Sequence, residues 1–231
     1  MMKITSLNLQ EFYDWEARKP AVVEHLQSEA PDIIVFQEVV YLPGISPYNQ
    51  VQLLNETLGY SYEQSAITRL QDSTQYDVYR EGLATLSKYP VLKADTIILQ
   101  QAEGDEHNRI IQLLDLEVDG KIVKIANVHF SITDFVDYAT AHLKETLEIL
   151  AAREEERIII GDFNLTFMSE SANLWSDKYR CTNETEYITY PAMNKSTDYA
   201  LIPKSMDFCD IVISGDGLSD HRALSLTISS F

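Results

Sequence analysis

Cysteine is scarce in this chain. Cys181 and Cys209 are the only two, too few for a disulfide framework to replace a packed core. No run approaches the ~20 apolar residues of a membrane span. The N-terminus, Met1-Met2-Lys3-Ile4, enters a strand pattern directly and lacks the apolar region of a secretory leader. Positive charge is also thin. Lys and Arg number 18 against 36 Asp and Glu, a formal charge of −18, and no Lys/Arg cluster is visible. Proteins that hold long nucleic acids usually offer a basic face, so an acidic surface makes a long polyanion the harder partner. Internal repeats, low-complexity tracts and interdomain linkers are missing as well. These absences predict a soluble, cytoplasmic protein whose residues 1–231 form one domain.

Apolar sequence is plentiful. At 45% hydrophobic content over 231 residues, a chain can remove roughly 70–75% of its unfolded surface from water. Strand-like runs cover Lys3–Leu9, Asp32–Glu38, Tyr60–Ala66, Gly82–Lys88, Thr96–Gln100 and Ile110–Val118, then Lys121–Phe130, Arg157–Asp162, Asp198–Ile202, Phe208–Ile213 and Arg222–Ile228. Asp119-Gly120 between two alternating runs signals a hairpin. Helical spacing is expected over about Lys19–Ser28, with Val22, Val23 and Leu26 inward and Pro31 as the stop. It recurs from Asp134 to Arg153 through Ala139, Leu143, Leu147 and Leu150, with Thr133 or Asp134 available as cap, and over Tyr48–Leu58. Many strands with few helices in mixed order fit an α/β protein of two packed sheets with helices outside.

Short polar motifs stand at the ends of these apolar runs. Leu7-Asn8 follows Ile4, Gln37-Glu38 closes Ile33–Phe36, and Asn127-Val128-His129 ends the run from Ile122. Gly161-Asp162-Phe163-Asn164 follows Ile158–Ile160, Asp198-Tyr199 opens an apolar stretch, and Ser219-Asp220-His221 precedes the last one. Taken singly, Glu38 reads as a solvated strand-end carboxylate, Asn8 as a turn residue, His129 as a core histidine and Asp198 as a turn cap. Taken together, strands that end repeatedly in carboxylate, amide or imidazole aim those groups into one mouth at the sheet edge. A hard divalent cation and a phosphate suit that chemistry, because Mg²⁺ takes a few carboxylate oxygens and keeps positions open for substrate and water. Four glycosylation sequons begin at Asn55, Asn164, Asn183 and Asn194; a glycan on Asn164 would obstruct this mouth, so all four read as chance. Polar, aromatic-bearing stretches at Tyr41–Tyr48, Arg69–Arg80 and Cys181–Ser196 read either as solvent-exposed loops or as a specificity rim, with Tyr76, Tyr79, Tyr187 and Tyr190 as the candidate contacts.

In order along the chain, these motifs, together with Glu81-Gly82-Leu83-Ala84-Thr85-Leu86-Ser87 and Asn108-Arg109, resemble the endonuclease/exonuclease/phosphatase superfamily, which includes deoxyribonuclease I, exonuclease III and the sphingomyelinases. The resemblance runs from Asn8 to His221. It implies a four-layer α/β sandwich of two packed mixed sheets with helices outside and the site at their top. It further implies Glu38 as principal ligand of Mg²⁺ (or Mn²⁺), with Asn8 and Asp220 in the metal shell. By the same resemblance Asp162 orients or deprotonates the attacking water, Asn164 holds a phosphoryl oxygen, and His221, oriented by Asp198, acts as acid/base or charge stabiliser. His129 and Glu81 look like the second His–carboxylate pair of the deoxyribonuclease branch, and Arg109 like its phosphate-contacting arginine.

The expected activity is metal-dependent hydrolysis of a phosphodiester or phosphomonoester, by attack of water on phosphorus. Either Asp162 or His221 serves as the formal base. The substrate is a small-molecule, lipid-like or nucleic-acid phosphoester, with the negative charge favouring a small or locally bound one. A nuclease acting on DNA or RNA is the alternative enzyme, and a non-catalytic binding module with the same fold is the alternative of another class.

Overall fold

The computed structural model describes residues 1–71, 78–132 and 137–231. Two six-stranded mixed sheets form it. The first has the order β11-β12-β1-β2-β4-β3, the second β5-β6-β7-β8-β10-β9. In the first sheet β1 (Met2–Asn8) and β2 (Ile33–Tyr41) are parallel, joined by helix α1 (Trp15–Glu29); β4 (Tyr79–Ser87), β3 (Tyr62–Gln71), β12 (Leu224–Ser230) and β11 (Asp207–Ile213) extend it by antiparallel pairing. The second repeats the plan. β7 (Lys121–His129) and β8 (Ile158–Asp162) are parallel across helix α3 (Tyr138–Ala152), flanked by β6 (Ile110–Val118), β5 (Val91–Ile98), β10 (Asp198–Pro203) and β9 (Tyr179–Cys181). Among the described residues no helix is long and apolar enough to cross a membrane.

Hydrocarbon is buried in three layers. Ile4, Val35, Leu114, Ile125, Ile160 and Ala200 meet between the sheets. Val22 and Leu26 of α1 and Val51 and Leu54 of α2 (Gln50–Leu58) cover the outer face of the first sheet. Ala139, Leu143 and Leu150 of α3 cover the second. The result is the four-layer α/β/β/α sandwich that the resemblance implied. Each fully buried aliphatic side chain contributes roughly 1.5–3 kcal/mol of transfer free energy. Local signals set the helix starts: Asn49 accepts from the backbone of Val51 and Gln52 while Gln52 returns to the Asn49 N–H, a complete capping box, and Asp137 caps α3 through Thr140 N. The caps expected at Thr133 and Asp134 lie outside the described residues.

Several boundaries differ from the sequence reading. Helix α1 starts at Trp15 rather than Lys19 and keeps Pro20 inside. Its first turn is held by the Arg18 guanidinium, which donates to the carbonyls of Leu9, Gln10, Tyr13 and Leu218. Strand β9 was not anticipated, because three residues are too short for a period to show. The strands β3 and β4 run into the stretch expected as the Arg69–Arg80 loop. Most consequentially, β2 does not end at Glu38 but continues to Tyr41.

The continuation requires a bulge. Pairing of β2 with β4 runs regularly to Phe36–Ala84 and resumes at Val39–Gly82, so Gln37 and Glu38 together oppose Leu83. Glu38 takes a left-handed φ of 51°, which costs a non-glycine residue about 1 kcal/mol. An amide from the opposite sheet meets this irregularity. Asn127 Nδ2 donates to Phe36 O (3.1 Å) and Ala84 O (3.2 Å), the two carbonyls of the last regular pair, and Asn127 Oδ1 accepts from Gln37 Nε2 at 2.8 Å. Ser6 Oγ bonds Gln37 Oε1 at 3.3 Å, and Thr85 Oγ1 bonds Gln112 Oε1 at 2.8 Å. Ser6, Gln37, Gln112 and Asn127 each lie two residues from an apolar member of the inner core, so the period of two carries the facing surfaces from hydrocarbon to buried amide and hydroxyl.

Close approach of β7 and β8 sits beside this layer. Gly161 has φ 148°, and a Cβ there would lie 2.0 Å from Val128 O. Gly161→Ala is expected to lose roughly 3 kcal/mol or more from strain and overpacking; a urea-unfolding loss below ~1 kcal/mol would show that the strands can part. Asn127→Asp sets an acceptor against the Phe36 and Ala84 carbonyls and should cost roughly 3 kcal/mol or more at pH 7. Ionisation is the disfavoured state, so the introduced carboxyl has a raised folded pKa. The loss should therefore grow as pH rises above ~4 and shrink below it. Equal losses at pH 4 and pH 7 in denaturant melts would refute the buried-donor role.

Candidate active site

Above the amide layer the same parity delivers charge. Asn8 ends β1, His129 ends β7, Asp162 ends β8 and Asp198 begins β10, all buried. Glu38 reaches them through the bulge, Glu81 from within β4, and His221 from the turn before β12. The Asn8 amide ties them, with Nδ2 donating to Glu38 Oε1 and to Asp162 Oδ2 at 3.1 Å each.

Asp162 lies between two imidazoles. Its Oδ2 is 3.7 Å from His129 Nε2 and 3.7 Å from His221 Nε2, while Oδ1 accepts the backbone N–H of Asn164 at 2.9 Å. Asn164 adopts φ 51°, and its side chain donates to Phe130 O at 2.9 Å. His221 Nδ1 bonds Asp198 Oδ2 at 2.8 Å. Burial alone would lower the His221 pKa, but the carboxylates of Asp198, Asp162 and Asp220, with the Asp198 hydrogen bond, raise it to about 10. The imidazole is therefore cationic at neutral pH. Burial and the Asp198 charge push Asp162 up to about 6 against the opposing effect of His221, the Asn164 N–H and Asn8, which leaves it largely ionised at pH 7.

The second histidine is held differently from the simple His–carboxylate pair the resemblance implies. Arg109 Nη1 lies 2.9 Å from His129 Nδ1 and 3.6 Å from Glu81 Oε1, with Glu81 Oε1 3.8 Å from the same ring nitrogen. Arginine can only donate, so Nδ1 is an acceptor here and the ring proton sits on Nε2. That nitrogen faces Glu38 Oε1 at 3.8 Å as well as Asp162. Arg109 is 5% exposed, and its Nη1 orients His129.

Acidic charge is in excess on the Glu38 side. Burial and the neighbouring Glu81 carboxylate raise Glu38 to about 8, offset in part by Asn8 and Arg109. Asp220 is half-buried, its backbone N–H held by Gln10 Oε1 at 3.1 Å, and Glu38 and Asp220 both act electrostatically on Arg18 and on Tyr190. Carboxylates that resist ionisation for want of a counter-charge fit a divalent cation. Asn8 as it stands presents its NH₂ to the carboxylates, and Gln10 N–H bonds its Oδ1 at 2.9 Å. Ligation through Oδ1 thus takes a half-turn of that amide. A separate trio, Asp162, Asp198 and His221, offers potential ligand atoms within 4.8 Å of one another.

The residues from Asn8 to His221 that the motifs singled out are thus brought into one mouth. Other contributors carried no motif: Arg18 and Gln10, which fasten the Asp220–His221 turn to the segment after β1, and Gln112 in the layer beneath. The rim tyrosines divide. Tyr190 stacks on His221 with ring centroids 4.9 Å apart. Tyr79 is instead buried, its hydroxyl on Glu11 at 2.7 Å, and Tyr187 supports the site from behind, its hydroxyl on Asp198 O at 3.1 Å. Tyr76 lies outside the described residues.

Comparison with known proteins agrees with this architecture. A family protein from Leptotrichia buccalis C-1013-b superposes with TM-score 0.80 at 17% identity, over 99% of this chain and 100% of that one. A mannosyl-6-phosphatase from Bacteroides thetaiotaomicron VPI-5482 gives 0.73 at 16% identity, over 99% of each chain. Sphingomyelinase C from Streptomyces griseocarneus gives 0.70 at 17%, over 97% of this chain and 98% of that one. Identities this low establish a shared fold. No curated protein matches by sequence. The family's sequence model, however, matches residues 5–221, so the chain belongs to the Endonuclease/Exonuclease/phosphatase family, whose members are hydrolases acting on phosphoester bonds.

Proposed function

We propose that this protein is a Mg²⁺-dependent phosphoesterase, its 231 residues forming one catalytic domain that hydrolyses a phosphodiester or phosphomonoester by attack of water on phosphorus. The observation that carries the reading is Asp162 Oδ2 set 3.7 Å from two imidazole nitrogens, one of them on a cationic ring. Phosphoryl transfer asks mainly for positioning and charge neutralisation, and this arrangement supplies both.

Asp162 is the base in this reading. It is ionised near neutrality, whereas His221 already holds its proton. The water oxygen bonds phosphorus, its proton passes to Asp162, and the ester oxygen departs. His221, fixed by Asp198, faces the phosphoryl oxygens as an imidazolium, and His129 Nε2–H, fixed by Arg109 and Glu81, offers a second donor. Asn164 joins them as a phosphoryl contact once its amide leaves Phe130 O. Asn8, Glu38 and Asp220 would hold the Mg²⁺ (or Mn²⁺), which when bound supplies Lewis-acid neutralisation of the substrate's oxygens. The negative net charge and the named relatives, a sugar phosphatase and a lipid phosphodiesterase, support a small or lipid-like phosphoester over a long nucleic acid.

Glu38→Gln should abolish or greatly weaken Mg²⁺ binding with the fold intact, since few hard oxygen ligands leave little redundancy. Unchanged affinity by calorimetry would remove Glu38 from the metal shell. His221→Ala should lower kcat by at least ~10²-fold against a panel of phosphoesters. Asp198→Asn should lower it too, and the double variant should be little worse than His221→Ala alone, because the pair acts as a unit. Near-native turnover in His221→Ala, with only the melting temperature reduced, would make the pair a structural tie.

A further inference from the structure

The turn that carries Tyr190 is fastened to both members of the Asp198–His221 pair. Thr189, fully buried, accepts the backbone N–H groups of Thr197 and Asp198 on its Oγ1 at 3.2 Å each. Its carbonyl accepts the N–H of Arg222, the residue after His221, at 2.7 Å, and Arg222 Nη1 donates to Ile188 O at 3.3 Å. A short bridge closes the other side. Tyr190 N–H donates to Lys195 O at 2.8 Å and Lys195 N–H returns to Tyr190 O at 3.3 Å, around the 3₁₀ turn Pro191–Met193. The Tyr190 backbone is thus held by the residues that flank the pair, which places its side chain in advance of any ligand.

That side chain faces the mouth. Its ring lies over His221 with centroids 4.9 Å apart and planes tilted by 41°, a contact that favours the imidazolium. Tyr187, three residues earlier, is turned the other way, onto Tyr199 behind the Asp198 strand, with centroids 6.3 Å apart. Asp220, Glu38 and Asp162, from the turn before β12, from β2 and from β8, act electrostatically on the Tyr190 hydroxyl. Burial, and then those three charges, raise its pKa, so the phenol keeps its proton through the neutral range. Among the described residues none exchanges a hydrogen bond with this hydroxyl. A ring that only packs on His221 could as well be phenylalanine. The hydroxyl adds a protonated donor beside an imidazolium, at a site otherwise rich in acceptors. A phosphoryl group presents acceptors alone, and Asn164, one of the donors assigned to it, is engaged with Phe130 O at 2.9 Å. Tyr190 can serve without such a rearrangement.

We infer that Tyr190 is a further catalytic residue, its hydroxyl donating to a phosphoryl oxygen of the substrate beside the His221 imidazolium. The inference rests on the phosphoesterase reading and adds one group to that site. Tyrosine gives up no proton in the reaction. The proton of the attacking water still passes to Asp162, and the phenol O–H stabilises the charge spread over the phosphoryl oxygens in the transition state.

The test compares wild type with Tyr190→Phe, which keeps the ring on His221, and Tyr190→Ala, which removes ring and hydroxyl together. Substrates are the nitrophenyl phosphate monoester and diester with Mg²⁺ or Mn²⁺, and rates are taken per mole of folded protein. Tyr190→Phe should lower kcat/KM about tenfold or more, with the loss in kcat. A value within about twofold of wild type, with any defect confined to Tyr190→Ala, makes the residue a packing ring and overturns the inference. Phosphate binding separates its failure from that of the phosphoesterase reading. If wild type hydrolyses neither ester, calorimetry with inorganic phosphate and Mg²⁺ decides. Affinity about tenfold weaker in Tyr190→Phe supports the hydroxyl contact. Equal affinity, or no binding by wild type at about 10 mM phosphate, above the usual KM range, overturns it.

Discussion

One side-chain amide, Asn127, holds the two sheets together where their facing surfaces stop being hydrocarbon. It rises from β7, donates to a carbonyl on each of β2 and β4, and accepts from Gln37. Those two carbonyls belong to the last regular pair before the bulge that aims Glu38. A fold of two stacked sheets can end its core at any level. Here the level is fixed by a hydrogen-bonded polar layer that only one register of the sheets satisfies, since a one-residue slip would turn every amide to the wrong face.

The site depends on that layer. Above it, carboxylates and imidazoles are buried more densely than their charges favour, and the consequences are visible in Glu38 near pKa 8, Asp162 near 6 and His221 near 10. Burial keeps both carboxyl groups up, while the carboxylates around His221 overcome the desolvation that would otherwise discharge it. An ionised Asp162 and a cationic His221 thus coexist at neutral pH because of these opposing environments. Strain is concentrated at the same place, in the left-handed backbones of Glu38 and Asn164 and of Gln10 and Glu11 after β1. Rigid neighbours hold these conformations, among them the Arg18 guanidinium and the Asn127 amide.

The sandwich therefore divides its labour by height. The lower inner face supplies cohesion through Ile4, Val35, Ile125 and Ile160. The middle supplies register, and the top supplies chemistry. The least regular segments are the 3₁₀ turns and short bridge between Thr182 and Lys195. Such segments can vary without disturbing the strands that hold Asp162 and His129.

The sequence by itself determined the strands, most of their order and the identity of the polar groups at their ends. A period of two and a terminal carboxylate or imidazole are local facts, legible at Asn8, His129, Asp162 and Asp198. It could not show that Glu38 lies within a strand, because a bulge arises from pairing with β4 and leaves no mark in the run Ile33–Phe36. It gave no sign that Arg109 would hold His129, that Tyr79 would be buried on Glu11, or that Arg18 would reach the Leu218 carbonyl 200 residues away. Those outcomes depend on which surfaces meet, and burial and hydrogen-bond satisfaction across two sheets are properties of the assembled tertiary structure alone.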